Sequence, residues 1–353
     1  MNDVADVLRH AIDRGGSDIF MIPGARVSMK IAGAIEPIME ERLMPEDTLR
    51  LLEQVYALDD DRDMARLLKD GDDDFSFSLR GVGRFRCNAF RQRNSLAMVL
   101  RVVSFALPDP EQMHIPPAVL ELARVKKGLV LITGPAGSGK STTLACIIDR
   151  INRTRRDHII TIEDPIEFIH PHKLSVVSQR EIELDTLSYA TALRAALRQA
   201  PDVILLGEMR DFDTIQTALT AAETGQLVLS TLHTIGAAKT IDRIIDAFPA
   251  NQQQQIRVQL SMVLRAVVSQ QLVPDVDGGL EPAFEIMAVN SAIQNMIRDG
   301  KVHQMDNVIY SGAEQGMRTM DGDLERLYRS GRISRENAVL FATNQELMMK
   351  KMG

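Results

Sequence analysis

The chain has 353 residues, with 41 Lys plus Arg against 48 Asp plus Glu and a formal net charge of −7. At roughly 150 residues per domain this length predicts about two domains with a sizeable core, and the acidic balance excludes a strongly basic nucleic-acid footprint. With 4% aromatic residues, no Trp and only two cysteines, the chain lacks base-stacking platforms, a disulfide framework and a four-thiolate zinc site.

In chain order, Met1-Asn2-Asp3-Val4 carries neither a basic n-region nor an apolar h-region. No stretch approaches the roughly 20 apolar residues of a membrane span, so the chain is expected to act in the cytoplasm. Val4, Leu8, Ala11 and Ile12 mark one helical face that ends at Gly15-Gly16. Residues 28–31 and 34–35 read as a hairpin around Gly33, and 48–58 as a second helix. The acidic runs Asp59-Asp60-Asp61 and Asp72-Asp73-Asp74 read as solvated turns. Strands are predicted at 74–79, 83–90 and 96–103. In the middle one Phe85, Cys87 and Ala89 alternate with Arg84, Arg86 and Asn88, giving one buried and one cationic face. Cys87 and Cys146 both read as small buried hydrophobes. Pro108, Pro110, Pro116 and Pro117 then mark a linker.

Beyond Gly128 the pattern becomes short apolar strands (129–133, 159–162, 203–206 and 227–231) separated by helical periodicity, which predicts a parallel sheet covered on both faces. After Pro249 the chain reads as mainly helical, with one more strand near 283–289, and 252–255 as an exposed helix face.

Four strand ends carry chemistry. Gly134, Pro135, Ala136, Gly137, Ser138, Gly139, Lys140 and Ser141 fit G-x-x-x-x-G-K-[ST], after a strand and at the start of a helix. The glycines let backbone N–H groups converge on phosphate, Lys140 neutralises the β and γ phosphates, Ser141 ligates Mg²⁺ and Thr142 stands next to the α phosphate. The apolar run from Asp202 ends in Glu208; such a strand is expected beside the P-loop strand, with Glu208 polarising the attacking water. The run from Ile159 ends in Glu163, Asp164, Pro165 and Glu167, with Glu163 the metal or water carboxylate and Glu167 either a support or a surface acid. The run from Leu227 ends in Thr231 and His233, placed to sense the γ phosphate. His170 and His172 lack a partner at metal spacing. Arg84, Arg86, Arg91, Arg93 and Arg101 form a cationic group; an arginine supplied from another domain or subunit can stabilise γ-phosphate charge, and a solvated basic strand reads equally well.

Together, residues 161–167, 197–210 and 230–234 resemble the "Asp box", Walker B region and "His box" of the type II/IV secretion ATPase superfamily, over nearly the whole chain. Residues 292–298, 314–320 and 331–337 are similar to motifs of its pilus-retraction (PilT/PilU) branch. Extension and secretion ATPases usually add a further N-terminal domain and a four-cysteine zinc insertion, neither of which these residues contain. Phe20 stands where many relatives have His in a Ser-Asp-x-His segment, and Gln226 replaces the usual His after Thr224-Gly225.

The resemblance implies an α/β chain with a PAS-like α+β N-terminal domain (1–104), a linker (105–117) and a RecA-like P-loop ATPase domain (118–353) that turns helical from about 290. It narrows the arginines to the strand pair Arg86 and Arg101. It also implies a homohexamer using ATP and Mg²⁺ to drive type IV pilus retraction and twitching motility. Such a ring would be held at the inner face of the cell membrane through an inner-membrane pilus platform protein, with a paralogous pilus ATPase as a further partner. The alternatives are an accessory retraction ATPase, an extension or secretion ATPase, a non-catalytic scaffold, or a RecA-like nucleic-acid translocase, which no Lys/Arg run supports.

Overall fold

The structure, a computed structural model, describes residues 3–31, 34–59, 62–103 and 107–352. Gly33, Asp60 and Asp61 lie outside the described residues, as do 104–106, on which the expected domain boundary falls. The chain divides into two compact units, one of Met1–Ala106 with Glu167–Ile169 and one of Leu107–Ile166 with His170–Gly353.

The first unit is built on strands β1 (Asp18–Met21), β2 (Arg26–Ile31), β3 (Ala34–Arg42), β4 (Asp72–Leu79), β5 (Gly83–Gln92) and β6 (Ser95–Val103). They form one antiparallel sheet in the order β3-β2-β1-β6-β5-β4. Burial alternates along β5, with Phe85, Cys87 and Ala89 inside. These side chains join Val7 and Leu8 of helix Val4–Asp13 and Leu52, Val55 and Tyr56 of helix Pro45–Ala57 in a single core. The opposite faces of β5 and β6 carry Arg86 and Arg101.

One acidic run differs from its expectation as a solvated turn. Asp72, Asp73 and Asp74 open β4, and successive strand residues point to opposite faces, so Asp73 is directed inward. Its buried carboxylate accepts from the Tyr56 hydroxyl at 2.9 Å and from Arg62 Nε and a terminal nitrogen at 3.1 and 3.0 Å. Those bonds offset the cost of desolvating the charge.

The second unit contains β7 (Gly128–Thr133), β8 (His158–Glu163), β9 (Val176–Glu181), β10 (Val203–Leu206), β11 (Leu227–Leu232), β12 (Leu264–Pro274) and β13 (Leu280–Ala288). Their order is β13-β12-β7-β11-β10-β8-β9, parallel except for the antiparallel β12–β13 pair. β7, β10 and β11 are buried along their whole length, as sheets covered by helices on both faces require. Two features correct the sequence reading. β12 follows helix Ala250–Val263 where a mainly helical stretch was expected; its apolar run is broken by Ser269, Gln270 and Gln271, which hid the strand. β10, which leads to Glu208, is not beside the P-loop strand β7, because β11 lies between them and pairs with both.

Residues 107–117 belong to the second unit, in which Pro117–Leu120 forms a short helix. From Ser291 the chain is helical, and Leu324, Leu327 and Ile333 pack with Val273 and Ala283 in a satellite core. Among the described residues no helix is long and apolar enough to cross a membrane.

Candidate active site

The site grows from the carboxyl ends of four neighbouring strands, where open parallel sheets bind ligands. β7 ends at Thr133, and the loop to helix Lys140–Thr154 turns on Gly134, Gly137 and Gly139, with φ of 143°, 75° and 84°. Those left-handed conformations suit glycine, and Gly139 caps the helix directly. Pro135, Ala136 and Gly137 are exposed at the loop crest, while Ser138 is buried. Lys140 folds back into the loop, donating to the carbonyls of Gly134 at 3.0 Å and Pro135 at 2.8 Å. Ser141 and Thr142 stand half-buried in the first helical turn, with the helix N-terminus offering a positive pole to an anion.

The acids stand at the ends of β8 and just beyond β10. Glu163 is the last residue of β8; its Oε1 accepts from the Thr161 hydroxyl at 2.6 Å and from Gln179 Nε2 at 3.3 Å. The chain leaves it through a cis Asp164–Pro165 bond. Gly207 N–H donates to the Ile162 carbonyl at 2.8 Å, which carries the β10–β8 pairing to the position before Glu208. The Glu208 carboxylate meets Arg210 Nε at 2.6 Å and His233 Nε2 at 3.3 Å. Thr231 is buried and donates its hydroxyl to the Gly207 carbonyl at 2.6 Å, so it fastens β11 to the Glu208 segment. Because β11 lies between β7 and β10, His233 emerges from the strand that separates the P-loop from Glu208.

Arg86 and Arg101 are elsewhere, in the first unit, directly opposite each other on β5 and β6. Arg101 Nε contacts Asp18 at 2.8 Å, its cross-strand partner on β1. Burial works to raise the Asp18 carboxyl, yet hydrogen bonds from Arg101 and Ser17 hold it below the usual carboxylate range. A depression of about 210 Å³ is lined by both arginines with Asp18, Asp74, Asn88 and Val99. Arg91 donates to the Leu68 carbonyl at 2.9 Å, and Arg93 lies in the β5–β6 turn.

Residues 1–340 match the family described as type II/IV secretion system protein. The type IV pilus retraction ATPase PilT of Pseudomonas aeruginosa PAO1 is 44% identical over 336 residues, 95% of this chain and 97% of its own length. The pilus ATPase PilU of the same organism is 42% identical over 350 residues, 98% and 91% of the two lengths. A crystal structure of the pilus retraction motor PilT with bound ADP superimposes with a TM-score of 0.91 at 46% identity, covering 99% of each chain. The chain belongs to the type II/IV secretion system protein family. Within that family it is a PilT/PilU-type, ATP-hydrolysing enzyme.

As a family member the chain has the two-domain fold expected of it, an α+β N-terminal unit and a P-loop unit. Its motif residues are flanked by groups that the spacing did not single out. Arg210 touches Glu208; it closes the 197–210 motif, which gave it no role of its own. The Tyr189 hydroxyl lies 2.8 Å from where a Cβ on Gly207 would stand; burial and the charges of Asp164, Glu208 and Glu163 keep it protonated. No sequence signal marks it, because the contact is purely tertiary. Beside the P-loop helix a pocket of about 460 Å³, lined by Thr142, Thr143, Gln270 and Arg332 among others, has room for a nucleoside. In its wall Glu281 accepts from Arg332 at 2.8 Å and pairs with His114 at 3.0 Å.

No group of three or more metal-ligating side chains is found among the described residues. Mg²⁺ keeps several waters and takes substrate phosphate oxygens alongside one or two protein oxygens. The hydroxyl of Ser141 and the carboxylates of Glu163 and Glu208 are hard oxygen donors of the required kind.

Proposed function

We propose that this chain is a cytoplasmic ATPase motor that forms a homohexamer and drives type IV pilus retraction, and so twitching motility, through an inner-membrane platform protein. The observation that carries the reading is the contact of Glu208 with His233 at 3.3 Å, beyond the ends of β10 and β11, of which β11 is the neighbour of the P-loop strand. It is supported by the resemblance to PilT along 97% of that relative's length.

In this reading the P-loop amides from Gly134 to Thr142 and the Lys140 ammonium hold the nucleotide phosphates. Ser141, Glu163 and Glu208 provide the Mg²⁺ oxygens. Mg²⁺, when bound, screens charge between the β and γ phosphates. Glu208 orients the attacking water, its carboxylate held in place by Arg210 and His233. His233 and Thr231 register the γ phosphate, and Arg86 and Arg101 supply cationic charge to it. In this reading 1–104 and 118–353 are the working domains and 105–117 connects them, the part from 107 onward packing with the second unit. Nucleic acid has no role in this cycle.

Glu208→Gln keeps the shape and removes the base; it should bind nucleotide as the parent does and lose turnover by at least about a hundredfold. Near-parental ATPase in that variant overturns the assignment. Deleting the gene should leave cells with excess surface pili, whereas loss of pili would indicate an extension motor. A second reading, an accessory ATPase acting with a paralogous primary motor, is favoured by the 42% identity to PilU across 98% of the chain. Retraction that persists in the deletion strain at reduced force selects it.

A further inference from the structure

Three consecutive polar residues, Ser269, Gln270 and Gln271, are buried in the middle of β12, where strand side chains are ordinarily apolar. Buried polar groups are stable only when bonded, so their partners indicate what each residue is for. The Ser269 hydroxyl accepts from Gly236 N–H at 2.9 Å, in the segment that follows His233. Gln271 Nε2 donates to the Phe341 carbonyl at 3.4 Å. Gln270 is on the opposite face of the strand, and its Oε1 accepts from the Thr143 hydroxyl at 2.7 Å, in the first turn of the P-loop helix.

The same residue also fits against both ends of the phosphate loop. Ser269 pairs with Thr133, so Gln270 runs on beneath Gly134. A Cβ on Gly134 would stand 2.1 Å from the Gln270 carbonyl oxygen, and one on Gly139 would stand 2.8 Å from Gln270 Nε2. The first approach is to the backbone, which any residue at 270 would present, whereas the second brings the end of the Gln270 side chain itself against the start of the P-loop helix. We infer that Gln270 is a positioning residue for the phosphate loop, its side chain bonded to Thr143 and set against Gly139 so that the start of the P-loop helix is held in the binding geometry before nucleotide arrives. Preformed donors need no reordering on binding, so the benefit falls on nucleotide affinity. This inference rests on the reading that the P-loop binds ATP.

The test compares Gln270→Ala, Thr143→Val and Thr143→Ser in the full chain, with Lys140→Ala as control. The readouts are the Kd for a fluorescent ATP analogue with Mg²⁺, steady-state KM and kcat, and the melting temperature without nucleotide. Gln270→Ala and Thr143→Val should each raise Kd and KM by about three- to tenfold, the effect of one lost buried hydrogen bond, and leave kcat within about twofold. The double variant should be no worse than Gln270→Ala alone, because both changes delete the same bond. Thr143→Ser keeps the hydroxyl donor for Gln270 Oε1 and should retain much of the affinity lost in Thr143→Val. If Gln270→Ala fails to fold, Thr143→Val and Thr143→Ser carry the comparison. Unchanged Kd beside a lowered melting temperature overturns the inference in favour of a purely structural role, as do additive losses in the double variant. Should Lys140→Ala bind the analogue like the parent, the ATP reading itself fails. Lost binding in Lys140→Ala with parental Kd in the other variants removes only the role of Gln270.

Discussion

At the residue scale the carboxylates of the site are set by close neighbours. Gly207 precedes Glu208 and leaves room for Tyr189; a Cβ there would meet the Tyr189 hydroxyl at 2.8 Å and the Ile162 carbonyl at 3.3 Å. Gly207→Ala must push either Tyr189 or the strand end, and with it Glu208, so kcat should fall by roughly ten- to a hundredfold while ATP still binds. Adding Tyr189→Phe removes the hydroxyl in the way, and partial recovery of kcat in the double variant is expected. No recovery would place the strain on the Ile162 carbonyl instead. In the first unit, the folded pKa of Asp18 lies below its unfolded value, so its pairing adds stability at neutral pH. That increment is lost as pH falls through the depressed folded value. The gap in melting temperature between parent and Asp18→Asn should be constant above about pH 5 and shrink below about pH 4. It should be small, because the Arg101 side chain is 69% exposed and water screens the pair. A gap that stays constant down to pH 3 would rule out the ionised carboxylate as its source.

At the element scale, legibility followed how each strand is buried. β7, β8, β10 and β11 are continuous apolar runs ending in a polar or acidic group, and sequence located all four within a residue of their observed ends. β9 lies at the sheet edge with only Val177 and Glu181 buried, so it has no apolar period to detect. β12 was hidden because its central side chains serve loops that lie far from it in sequence. The order of the strands was equally illegible: nothing local says that β11 inserts between β7 and β10, although that insertion brings His233 to Glu208. Glu285 on β13 has a comparable role. One of its oxygens accepts from Ala237 N–H at 2.7 Å, at the start of helix Ala237–Asp246, and the other from Met320 N–H at 3.4 Å. Asp323 returns the contact by accepting from Phe284 N–H at 2.9 Å. The 314–320 motif is thereby tied to the helix that follows His233. Glu285→Gln can accept through one oxygen only, so one buried amide is left unpaired at a cost of about 1–3 kcal/mol. Chemical denaturation should register that loss, and hydrogen exchange should rise at Ala237 or Met320. Parental protection at both amides would show that neither depends on this carboxylate.

At the scale of the whole molecule, each unit has a hydrophobic core of its own. Val7, Phe85 and Leu100 belong to one, while the sheet from β7 to β13 is sandwiched between two clusters in the other. Units that bury their own apolar surface can unfold separately. The P-loop, Glu163, Glu208 and His233 all stand on the second unit, so nucleotide binding should stabilise that unit first. Mg²⁺–ADP at about a hundred times its Kd adds about 2.7 kcal/mol to whatever it binds. Scanning calorimetry should therefore resolve two transitions, one of which moves up with Mg²⁺–ADP and stays put in Lys140→Ala. The other should respond only if Arg86 and Arg101 engage the nucleotide, and an Arg86→Ala/Arg101→Ala variant isolates that contribution. If both transitions rise together in the parent and only one in the arginine variant, the arginines reach the nucleotide. If the two rise together in both proteins, the units melt as one body and the arginines have no separate hold on the ligand. Light scattering on the same samples tests the proposed ring. A shift that appears only at protein concentrations where scattering detects oligomers assigns the arginine contact to neighbouring subunits, and one that is independent of concentration confines it to a single chain.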